Sequence, residues 1–152
     1  MNQFYSIYGK SNDALYNKEI PQELFTPDLK VSLEKAFKKS KDEIEKVKNS
    51  NHSEDKPLIF EGSFFSSLYE GYTSYKIESI KIMESTQPVG SAADVLIDFE
   101  NASVTPKIKW TDKIHLVEAF DTEMKIENIF FDKKIGGAID LKTKLYEFSE
   151  VD

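Results

Sequence analysis

The hydrophobic period of this chain changes once, about half-way along, and that change limits the folds open to it. Between Thr26 and Val47 the apolar residues Leu29, Leu33, Ala36, Phe37, Ile44 and Val47 recur every three or four positions, with lysines and acids between them. That is the stripe of an amphipathic helix. Thr26 can cap it, Pro27 suits the first helical position, and Asp28 sits favourably at the positive end of the helix dipole. From Tyr75 onward the period is two: residues 75–83, 93–100, 108–120 and 124–131 alternate or carry β-branched runs, which is strand behaviour. The breaks between them, Gln87-Pro88-Val89-Gly90, residues 101–106 and Asp121-Thr122, are short and favour an antiparallel meander. Helices first and a meander second predict an α+β domain, N-terminal helices packed on a curved antiparallel sheet.

An earlier helix is expected over residues 2–17, where Phe4, Ile7, Tyr8, Leu15 and Tyr16 fall at roughly helical intervals around Gly9 and Ser11-Asn12-Asp13. With the helix over 27–48 it would cover strands over 73–83, 92–100, 107–120 and 124–132. Residues 57–72 are rich in Phe and Tyr and read as a short strand followed by a packed loop. After Gly136-Gly137, the spacing of Leu141, Leu145 and Phe148 suits either a short C-terminal helix or a final extended segment. With no internal repeat, low-complexity tract or linker, the 152 residues read as one domain.

Composition removes whole classes of function. Without cysteine there are no disulfides, thiol nucleophiles, thiolate zinc sites or iron–sulfur clusters. All 20 basic residues are lysine, so the planar fork that grips phosphate and guanine is missing, and the net charge of −7 repels nucleic acid. No apolar run approaches the roughly 18–20 residues that span a bilayer. The start Met1-Asn2-Gln3-Phe4-Tyr5 has neither the basic head nor the apolar stretch of a signal peptide. Either the protein is cytoplasmic or a targeting segment has been removed from an exported one.

Three strings carry a resemblance: Tyr75-Lys76-Ile77-Glu78-Ser79-Ile80-Lys81-Ile82, Trp110-Thr111-Asp112-Lys113-Ile114-His115-Leu116-Val117, and Met124-Lys125-Ile126-Glu127-Asn128-Ile129. Over residues 4–132 the chain resembles the nuclear transport factor two-like superfamily, with its cystatin-like cone. Within it the chain looks most like a largely bacterial family of small, often exported domains without a known function. There a late strand carries a tryptophan followed by alternating apolar residues, and the next ends in a Trp-x-Ile-Asp-Asp-Ile-like phrase. Here Met124 replaces the tryptophan and Glu127-Asn128 the acidic pair, which removes one of those carboxylates. The resemblance implies a cone whose mouth can hold a ligand. The superfamily includes enzymes similar to ketosteroid isomerase and scytalone dehydratase, binding and scaffold proteins, and bacterial immunity proteins, so fold alone does not assign an activity.

Asp112 is the leading candidate for chemistry. In a regular strand Trp110, Asp112, Ile114 and Leu116 share one face, and desolvation there disfavours the charged carboxylate. It would serve as a general base, with a tyrosine such as Tyr8 as hydrogen-bond donor, or as a fixed structural acceptor. Tyr5, Tyr8, Phe60, Trp110, Asp112, Ile114 and Phe130 would line a ligand pocket or fill the core. Asp98 belongs with Asp94, Leu96 and Glu100 on a solvated face; His115 alternates away from Asp112, and His52 lies in a polar loop. No metal-ligand spacing and no cofactor motif is present. These features point to a non-enzymatic domain that binds a protein partner or a small apolar ligand, an immunity or inhibitor protein being one form of it. The alternative is an isomerase or dehydratase acting through Asp112. The aromatic content also permits a homodimer.

Overall fold

A computed structural model describes Phe4 and residues 23–52, 54–57, 65–86, 89–118 and 123–150. Along these the order is α1 (Pro27–Lys48), β1 (Ser74–Thr86), β2 (Val89–Asn101), β3 (Ile108–Glu118), β4 (Met124–Phe130) and α2 (Leu141–Glu150). The strands form one curved antiparallel sheet in the order β1-β2-β3-β4, so each pairs with its neighbour in sequence. The fold is α+β, as the change of period predicts. Of the helix expected over residues 2–17 only Phe4 is described; residues 58–64 of the aromatic stretch lie outside the described residues, and 65–72 are loop.

α1 begins where its signals place it. The Thr26 hydroxyl accepts from the Leu29 N–H at 3.4 Å, Pro27 opens the first turn, and Leu29, Leu33, Ala36 and Phe37 are buried. Thr26→Ala is expected to cost about 1 kcal/mol in urea unfolding, since the backbone contacts of Thr26 survive and only the cap is lost. At the other end of the chain, capping decides between helix and extended segment. Asp140 Oδ1 accepts from the Thr143 N–H at 2.7 Å, and Leu141 and Leu145, one turn apart, are buried. Lys39 of α1 then reaches across to donate to the Phe148 carbonyl at 2.8 Å, which ties α2 to α1.

The inner face of the sheet carries Val95, Ile97 and Phe99 of β2, Trp110 and Ile114 of β3, and Ile126 and Ile129 of β4, all buried against the two helices. Phe4, Phe25 and Phe65 close one end of this core, with Phe4 edge-on to both other rings at 6.0 and 5.2 Å. β1 and β2 run closer together than alternation predicts, to Thr86 and from Val89. Backbone pairing carries the hairpin on to Thr86 opposite Val89.

The two sheet edges are treated differently. The β4 edge is sealed by the chain itself: Thr26 N–H donates to the Ile126 carbonyl at 3.0 Å, Ile126 N–H to Leu24 at 2.8 Å, and Phe131 N–H to Ile139 at 3.1 Å. Among the described residues no segment pairs with the outer edge of β1. A bulge there, between Ile77 and Ser79, leaves Glu78 outside the β1-β2 register, although its carboxyl is hydrogen-bonded to Asp98 of β2, which raises its pKa.

Candidate functional site

Strand parity turns Asp112 inward, and it is 1% exposed. Its carboxylate is fully engaged. Oδ2 accepts from the Ser67 N–H at 2.9 Å and from the Trp110 indole N–H at 3.3 Å. Oδ1 accepts from the Ser67 hydroxyl in a short hydrogen bond and from the Asp132 N–H at 3.1 Å. Two donors on each oxygen match what a carboxylate accepts. Burial pushes this carboxyl up to about 6, against the four hydrogen bonds that favour its charged form.

The same cluster joins three separate parts of the chain. Ser67 comes from the loop before β1, Asp112 from β3, and Asp132 from the turn after β4. The Asp132 N–H also donates to Ser67 Oγ at 2.8 Å. The Asp132 carboxylate accepts from the Thr111 N–H at 2.9 Å, supplying the partner that β3 lacks once β4 has ended. Against the upward push of partial burial, the N–H groups of Thr111 and Lys134 and the Lys134 charge hold Asp132 below its ordinary value. Ser67 and Asp132 carried no signal in the sequence, because both lie in irregular segments without a period.

Trp110 and Ile114 join Asp112 on the inner face, and the indole stacks on Phe99 at 5.4 Å. Phe130 does not. It pairs with Lys113, whose ammonium lies 4.6 Å from its ring, so it belongs to the outer face. The cause is a register shift between His115 and Leu116, which lets Ile126 and Ile129 both face inward although three residues apart. That odd spacing of two isoleucines was the available sign of a bulge. Tyr5, Tyr8 and Phe60 lie outside the described residues.

The outer face is polar and cross-linked. Asp98 accepts from the Thr111 hydroxyl at 2.7 Å, and His115 Nδ1 lies 2.6 Å from Asp94, on the opposite face from Asp112. Glu100 meets Lys107 at 3.0 Å and Lys109 at 3.8 Å. A shallow cleft of about 320 Å³ opens at the end of this face, lined by Lys76, Asp98, Glu100, Lys109, Thr111 and Lys134 and reaching the aromatic rings of Tyr75 and Trp110. Both signs of charge meet there. His52 is exposed in its loop. Among the described residues no three or more His, Cys, Asp or Glu side chains are grouped to hold a metal, and no helix is long and apolar enough to cross a membrane.

No protein-family model, curated protein or solved structure matches this chain significantly.

Proposed function

We propose that this domain is a non-enzymatic binding module that engages a protein partner across the outer face of its sheet. The observation that carries this reading is the bonding of Asp112. The one strongly buried acid of the β3 face has all its acceptor capacity committed to holding a loop, a strand and a turn together, which is the work of a structural pin. Proton abstraction needs an oxygen within reach of a substrate, and each oxygen here is occupied by two donors. The outer face offers fixed charges on a rigid strand array, a form suited to recognition by electrostatic complementarity. The net charge of −7 favours a basic partner, as an immunity or inhibitor protein of the cone fold would have.

Affinity capture from the source cells tests this. A basic protein held at fixed stoichiometry by the native domain, and lost on Asp98→Lys with Glu100→Lys, is the expected result. Retention by the charge-reversed face would remove it.

One observation favours the enzymatic alternative, the carboxyl of Asp112 pushed up to about 6, within the range useful to a general base. In that case Asp112→Asn abolishes turnover of a small apolar substrate while the folded domain persists. A small apolar ligand bound without turnover would instead seat beside Trp110 and Ile114 and quench the single tryptophan.

A further inference from the structure

We propose that the outer edge of β1 receives a second copy of this chain, paired antiparallel about a twofold axis at Ile80, so that the two sheets continue as one. This goes beyond the reading above, because it uses the edge of the sheet and not its outer face. The motive is the contrast between the edges. β4 is sealed on its outer side by two segments of its own chain, whereas β1, at 13 residues, presents its outer edge bare among the described residues. A long edge strand is a template for pairing, and this one carries Ile80 at 59% and Ile82 at 73% exposure on the inner side of the sheet. Their cross-strand neighbours Val95 and Ala93 are buried, so the isoleucines border the core without being covered by it.

The occupant is identified by self-complementarity. In the β1-β2 ladder Ile77, Ile80 and Ile82 oppose buried residues and face inward, while Lys76, Ser79 and Lys81 oppose Asp98, Leu96 and Asp94 and face outward. Two such strands, reversed about Ile80, place Ile80 against Ile80 and Ser79 against Lys81. Without a bulge the next pair would set Ile82 against Glu78 and mix the two faces. The extra residue at Glu78 corrects this: Ile82 then opposes Ile77 and Met83 opposes Lys76, inward to inward and outward to outward. It also brings Glu78, which within its own chain shares a hydrogen bond with Asp98, beside Lys81 of the other copy, on both sides of the axis, where the ammonium would meet that pair of acids. The lysines and the bulge, devices that discourage indiscriminate pairing, become the features that select this one register. An isologous contact of this kind closes on itself and leaves no further edge to grow.

Sedimentation equilibrium of the purified full chain tests the proposal. The native protein is expected to form a dimer, and Ile82→Lys to raise its dissociation constant on the order of a hundredfold, since each substitution acts twice across the axis. Ile82 is largely exposed, so this variant should keep its unfolding midpoint. Glu78→Lys and Lys81→Glu should each weaken the dimer about tenfold, and their combination should restore it. That rescue decides the matter even if Ile82→Lys perturbs the fold. A native protein that stays monomeric at the highest attainable concentration, a dimer indifferent to Ile82→Lys, or a charge swap without rescue would each overturn the proposal. Dimer formation is read without any partner protein, so its failure leaves the outer-face reading standing, and the reverse holds.

Discussion

Replacing Trp110 by alanine is expected to lower stability by about 4 kcal/mol, within the range for truncating a large buried aromatic residue. The indole is 3% exposed, stacks on Phe99 with an interplanar angle of 18°, and donates to Asp112. Its removal opens a cavity between β2 and β3 and strips the carboxylate of one donor. Urea unfolding followed by far-ultraviolet circular dichroism measures this without relying on the fluorescence of the residue that has been removed. Trp110→Phe should recover most of the loss, because stacking returns and only the N–H is missing; a cost near that of a surface substitution would contradict the placement of Trp110 in the core.

The second large effect concerns Asp112 and depends on pH. Asp112→Ala leaves the Ser67 N–H and the Trp110 indole N–H without the acceptor they share, for a cost of about 3 kcal/mol. The titration of the native residue adds a direction. Burial raises its pKa from 3.8 to about 6, so between these values the folded state binds more protons than the unfolded one. Stability contributed by this group is therefore fully present below about 4 and is lost as pH rises through about 6. Two pKa units correspond to about 3 kcal/mol. The difference in unfolding free energy between the native protein and Asp112→Asn should accordingly be larger at pH 4 than at pH 7. A difference that instead grew with pH would mean that the four hydrogen bonds outweigh desolvation.

Much of this architecture is written in local signals. Thr26, Pro27 and Asp28 mark the start of α1 because capping and the helix dipole act within a single turn, and the inward turn of Asp112 follows from counting in twos from Trp110. Other features depend on groups remote in sequence. Nothing near Ser67 or Asp132 announces that they meet at Asp112, since that encounter exists only once the loop and the turn have folded onto β3. Phe130, expected to line a pocket or fill the core, lies on the outer face because one bulge upstream reverses the parity of everything after it. The C-terminal segment was open between two forms until the Asp140 cap and the burial of Leu145 against the rest of the core settled it.

The seal on the β4 edge also bears on how the molecule comes into being. Each strand of the meander finds its partner in the segment just made, but Phe25 bridges to Ile126, about a hundred residues further on. During synthesis from the N-terminus, the apolar stripe of α1 therefore emerges long before the strand that will dock it. Hairpin formation between β1 and β2 can proceed at once, whereas closure of the helical layer must wait for nearly the whole chain. A ribosome-bound chain halted before β4 should thus hold a paired hairpin and an α1 still open to proteases, and completion of β4 should protect both together.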